Sequence, residues 1–267
     1  MLFRSFWVGE DLAGTRGGLP DIWVGQGEMP VGIVSAGRAS RLSPYVAVKG
    51  GSPSYNHGHA DAGSFVLDIQ GLRWGYDLGS ENYSRIERAI GPGGLWSPEP
   101  DSKRWSVFRL GAQGHNTLMI GGKGQDPRGF ATLAREGDSI VVDLSSVYPQ
   151  AKKVTRRVSV GRQIPGAQIV DVIEGAAPGT TVRWAMNTDA SLAHMPDRDV
   201  PSMRCTKGSS AVVVSESSAR GAWAEGSAQP SNAWEQPNPG MRQLVYTATV
   251  LASGRLVMTV VLSSAEQ

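Results

Sequence analysis

The chain has one cysteine, four histidines and no long apolar run in its 267 residues. A lone Cys205 excludes an internal disulfide and a thiolate metal cluster, and reads as a small core or surface residue. Without a long apolar run, neither a signal peptide nor a membrane anchor is visible, and no membrane partner is expected. Either a cytoplasmic protein or part of a longer chain fits that reading, and the second implies a periplasmic or secreted location. A formal net charge of +2 is too small to point to nucleic acid, yet it does not oppose an acidic substrate. Internal repeats are missing, as is any amphipathic helix of three turns in the second half.

Glycine and proline are abundant, with 34 and 16 residues. Between them lie short β-branched runs: SIVVDL, KVTRRVSV, AQIVDVIEG, TTVRWAMNT, AVVVSES, LVYTATVL and RLVMTVVL. Such a series predicts an all-β protein, an antiparallel β-sandwich. In KKVTRR, alternation puts Lys153, Thr155 and Arg157 on the polar face. SFVLDIQGLRWGYDLG predicts a hairpin turning at Gln70-Gly71, with Ile69 opposite Leu72, Leu67 opposite Trp74 and Phe65 opposite Tyr76. Asp68 then faces Arg73, and Asp77 returns to the end where the histidines lie. Residues 80–105 suggest about one helical turn and then a Pro/Gly-rich loop, a length usually tied to function or mobility. Residues 215–242, with Trp223 and Trp234, read as a long loop, and His194 connects to nothing else.

Two of the four histidines stand together in Asn56-His57-Gly58-His59-Ala60-Asp61. In an extended segment His57, His59 and Asp61 share one face. Neutral imidazoles and carboxylates suit a four-coordinate divalent ion such as Zn²⁺. His59, Asp77 and His115 can supply three ligands, with Asn56 or Asp61 orienting an imidazole from behind. A different set, His59, Asp61 and His115, matches the facial triad of a non-haem iron oxygenase, with Arg128 free to hold a cosubstrate carboxylate.

The stretch from Val48 to Tyr83, with NHGHADAGSF and DLG in order, followed by HNTL at 115–118, resembles the C-terminal β domain of the heparinase II/III-like polysaccharide lyases. The resemblance covers residues 45 to about 125 and favours the lyase over the oxygenase. It implies that His59, Asp77 and His115 bind zinc and that His57 faces the substrate. It also implies a carbon–oxygen lyase acting by β-elimination on uronic-acid polysaccharides such as glycosaminoglycans, so that the expected partner is an acidic polysaccharide. Tyr83 is the local phenolic candidate for catalysis, while Asn56 and Arg109 are candidates for substrate binding. Relatives carry a helical toroid ahead of the sandwich that completes their catalytic set, and no such domain is present in this sequence. Residues 1–44 accordingly read as a tail or linker, and 45–267 as the sandwich. A zinc-stabilised module that binds acidic glycans without cleaving them is the alternative.

Overall fold

The computed structural model describes residues 21–37, 42–161 and 166–265. Residues 1–20 and 38–41, inside the stretch read as a linker, lie outside the described residues. Strands β1 (Ile22–Gly25), β2 (Val31–Ser35), β3 (Tyr45–Lys49), β4 (Phe65–Ile69) and β5 (Leu72–Gly75) pair in that order as one sheet. The sheet thus begins before Tyr45, in a stretch whose Gly/Pro spacing hides its two short strands.

The helix α1 (Tyr83–Trp96) and β6 (Leu118–Ile120) lead into β7 (Thr132–Glu136), β8 (Ser139–Asp143), β9 (Lys153–Gly161) and β10 (Gly166–Glu174). The rest is β11 (Thr181–Thr188), β12 (Ser191–His194), β13 (Ser202–Lys207), β14 (Ser210–Glu216), β15 (Gly221–Ser227), β16 (Arg242–Thr249) and β17 (Arg255–Ser264). They form an eight-stranded sheet, β12-β13-β14-β17-β10-β9-β8-β7, and a four-stranded one, β15-β16-β11-β6. The strands pair antiparallel throughout the three sheets, as the alternating pattern predicts.

Period-two alternation puts Leu256, Met258, Val260 and Leu262 of β17 into the core, beside Ile169 and Ile173 of β10 and Val154 and Val158 of β9. Lys153, Thr155 and Arg157 take the opposite face of β9, as expected. The inner face of β9 also carries Arg156, fully buried and paired across the strands with Asp171 through bonds of 2.7 and 2.9 Å. The first sheet packs on this layer closely enough that a Cβ at Gly32 would sit 2.5 Å from Ile140 Cδ1.

The hairpin turns at Gln70 and Gly71, both with positive φ, and pairs Ile69 with Leu72 and Asp68 with Arg73 as predicted. Beyond that point the register shifts: Leu67 faces Gly75, not Trp74. Trp74 is the surplus residue of a bulge, buried, with its indole N–H donated to Ile69 O at 3.1 Å. Tyr76 consequently leaves β4 and bridges to Asn187 of β11.

Two local expectations are corrected. Residues 83–96 form a full helix, capped by the Asn82 side chain and kinked at Gly91, where φ is 77°. The Gly91-Pro92-Gly93-Gly94 run masks that helix in sequence, because Pro92 can begin a new helical segment after the kink. Within 215–242, Gly221–Ser227 is a strand, and Trp223 lies in the core against Trp184 and Tyr246 rather than in a loop.

Candidate active site and metal centre

The histidine segment is a tight turn, not an extended strand. His57 has φ 59°, a left-handed value that costs a non-glycine residue energy. Gly58 follows because a Cβ there would lie 2.5 Å from Pro53 O and 2.8 Å from Tyr55 O. The turn separates the two imidazoles: His57 is exposed, while His59 and Asp61 are buried at 3% and 4%.

Asn116 and Thr117 fix His115 beside them. The Asn116 amide donates to Phe65 O (2.7 Å) and Tyr76 O (2.9 Å) and accepts from Asn187 N (2.6 Å). The Thr117 hydroxyl donates to Ala62 O at 2.8 Å. One buried cation ties the same segments to the core, since Arg156 Nη1 donates to both Gly63 O and Asn116 O at 2.8 Å.

His115 is wholly buried, with Nδ1 3.1 Å from Asp77 Oδ2, and the ring centroids of His59 and His115 are 5.3 Å apart. Asp77 also accepts from Gly79 N at 2.8 Å. Burial, then the charge of His115, lowers the His59 pKa to about 3, which keeps the ring neutral and ready to ligate. Burial pushes the Asp77 carboxyl up, but the His115 hydrogen bond and charge, with Gly79 N–H, hold it well below the usual carboxylate range. Burial disfavours a charged His115, yet the Asp77 hydrogen bond and charge raise its pKa.

His59 Nδ1 and His115 Nε2 are buried without a hydrogen-bond partner. Orphaned imidazole nitrogens on neighbouring rings are what a bound metal would satisfy, so the residues fit such an ion. Among the described residues, ligand atoms of His59, Asp61 and His115 lie within 4.8 Å of one another. The Lys49 ammonium occupies both oxygens of Asp61, at 2.6 and 2.7 Å.

Beside these residues lies a cleft of about 480 Å³ lined by Asn56, His57, His59, Ser80, Glu81 and Tyr83, among others. His57 Nδ1 lies 3.1 Å from the Tyr83 hydroxyl, and the two rings stack 5.5 Å apart at 5°. Trp96 meets both edge-on, at 5.6 and 5.3 Å. Arg104 donates to Gly58 O at 2.6 Å; burial lowers its pKa, while the charge of Tyr83 and a hydrogen bond donated to it oppose that shift. Neither Trp96 nor Arg104 stands out in the sequence, because both sit in the glycine- and proline-rich stretch.

Arg109 is buried, and its guanidinium donates to Ser80 O (2.8 Å), Asn238 Oδ1 (3.0 and 2.5 Å) and Pro237 O (3.4 Å). It braces the rim of the cleft against the 228–241 loop. Glu81 adds a second brace, accepting from Gln236 N at 2.9 Å.

The family model for the heparinase II/III-like C-terminal domain matches residues 34–255. No curated protein matches the chain in sequence. Among solved structures, the heparan sulfate lyase HepC of Pedobacter heparinus superimposes with a TM-score of 0.63 at 14% identity, covering 96% of this chain and 38% of that one. One heparinase III gives a TM-score of 0.60 at 17% identity over the same shares. Another gives 0.59 at 18% identity, over 88% of this chain and 35% of that one. The chain therefore spans well under half the length of the lyases it resembles. A matched span of most of the chain, carried on an antiparallel β-sandwich, makes this protein a member of the heparinase II/III-like C-terminal domain family.

Proposed function

We propose that this domain contributes the acid–base pair of a polysaccharide lyase acting on uronic-acid polymers. The 3.1 Å contact between His57 Nδ1 and the Tyr83 hydroxyl, on the wall of the cleft, carries the reading. In β-elimination the C5–H and C4–O4 bonds break, a C4=C5 bond forms, and O4 leaves with a proton. His57 takes the C5 proton and Tyr83 gives its own to O4, the roles that imidazole and phenol play in general acid–base chemistry. Imidazolium and phenolate then stand side by side, and one proton transfer between them restores both. Asn56 on the same wall presents an amide to the uronate carboxylate. Acidic glycosaminoglycans are the substrate class, in keeping with the heparan sulfate lyase among the structural neighbours.

His59, Asp77 and His115 would hold a zinc ion, which would supply positive charge and rigidity beneath the cleft. Asp77 would be the third ligand if the ion replaced the proton shared by its Oδ2 and His115 Nδ1, which lie 3.1 Å apart. Asp61, by contrast, is neutralised by Lys49. One observation favours a second arrangement: with Asp77 behind Nδ1, the orphaned His115 Nε2 points to a ligand set completed by Asp61. Metal analysis of Asp61→Asn and Asp77→Asn separates the two, and zinc lost only from Asp61→Asn rejects Asp77. That Asp61 set also matches the oxygenase triad, but the ammonium on Asp61 and the family membership oppose that chemistry.

The catalytic test is the ultraviolet absorbance of unsaturated uronate released from heparan sulfate. It compares the wild-type domain joined to a lyase helical domain with the same protein carrying His57→Ala or Tyr83→Phe. We expect turnover from the joined protein, little from the domain by itself, and loss in both variants. Undiminished turnover in the variants would reject the assignment. Folded, zinc-loaded protein that binds the polymer but releases no unsaturated product would leave a glycan-binding module.

A further inference from the structure

Two more hollows lie near the cleft. A small one of about 70 Å³ shares His57 with that cleft and is walled by Trp96, Arg104 and Trp105. Another, of about 350 Å³, shares Trp105 with the small one and reaches Gln113, Lys123 and Gln150. The three hollows thus form a series of neighbours, the first two sharing Asn56 and His57 in their walls and the last two sharing Trp105.

Their walls have a common chemistry. Trp96 is 44% exposed. Trp105 is half-buried and fixed: its indole N–H donates to Glu99 O at 2.8 Å, and the Arg104 guanidinium lies 5.3 Å from the ring centroid. Farther along, Gln150 Oε1 is buried without a hydrogen-bond partner. Lys123 is exposed there, and its ammonium meets no carboxylate among the described residues. Asp126 also lines that hollow, but Arg128 engages both of its oxygens, at 3.0 and 2.8 Å.

Fixed indole faces, an unsatisfied amide oxygen and a free ammonium are what a chain of acidic sugars requires: apolar pyranose faces to stack, hydroxyls to accept from, and anions to pair. We propose that the series is one track holding sugars beyond the reacting uronate. Trp105 stacks on a pyranose ring, Gln150 accepts a sugar hydroxyl, and Lys123 pairs with the carboxylate or sulfate of a more distant residue. The track rests on the lyase reading for its ligand class, and it extends that reading from a single sugar to a polymer segment.

The test is calorimetric titration of the helical-domain fusion, in a Tyr83→Phe background that stops turnover, with heparan sulfate disaccharide and octasaccharide. Trp105→Ala should weaken octasaccharide binding by about tenfold, the size of one lost aromatic contact, and leave the disaccharide unaffected. Lys123→Gln, which alters only an exposed side chain, should weaken octasaccharide binding and flatten its salt dependence. Octasaccharide affinity unchanged in both variants would overturn the track while leaving the lyase assignment intact. Length-dependent binding lost in these variants, with no unsaturated product from the Tyr83-containing protein, would retain the track and reject the lyase. Absence of any oligosaccharide binding would reject both.

Discussion

The eight-stranded sheet and the histidine rim are held by different physics. In the sheet, Leu256, Met258, Val260 and Leu262 follow one another at period two and are stabilised by removal of apolar area from water. At the rim, Asp61, Asn116 and His115 are just as buried, and hydrogen bonds and ion pairs maintain them. Apolar packing tolerates swaps of similar volume, whereas a polar network left half satisfied is worse than none. The difference explains how a sandwich can recur at 14–18% identity among the solved relatives while a site depends on a handful of side chains.

Four experiments break or sharpen that contrast. The largest effect is catalytic: in the protein joined to a lyase helical domain, His57→Ala should reduce turnover on uronate polymer by roughly a hundred- to ten-thousand-fold without moving the melting temperature, since the side chain is exposed. Arg156→Ala should cost about 3–5 kcal/mol in denaturant unfolding, because Asp171 is left as an unpaired buried charge. If the core were purely apolar in character, that variant would lose much less. Zinc should stabilise the rim by about 2.7 kcal/mol when free metal is about a hundred times Kd, read as a chelator-sensitive rise in melting temperature. His59→Ala should abolish that rise. Least affected is Arg157→Ala on the outer face of β9, where loss of the half-exposed pair with Glu136 should change stability by no more than about 0.5 kcal/mol.

The same contrast governs what could be read in advance. Strands β9 to β11, β14, β16 and β17 announce themselves because alternation and β-branched content are local properties. The Gln70-Gly71 turn is equally local. The return of Asp77 to the histidine end, where it meets His115, follows from hairpin geometry, although the hairpin itself holds a bulge that alternation alone does not reveal. Hidden features depend on distant partners. Nothing near Lys49 or Arg104 in sequence marks them for burial, yet each is placed by a group at least twelve residues away. The left-handed turn at His57, which parts two histidines that a strand would align, is set by the close backbone approach at Gly58. The helix over 83–96 was obscured by the glycines and proline at its kink, and the strand at 221–227 by its small residues.

The bulge at Trp74 has a consequence for anyone moving this site to another scaffold. Side chains on a strand switch sides at each step, so excising one surplus residue would turn Tyr76 and Asp77 over together and strand the carboxylate on the wrong surface. A graft of residues 65–77 that preserves every charged group but straightens the strand should therefore arrive without its partner for His115. The portable unit is the irregularity along with the ligands.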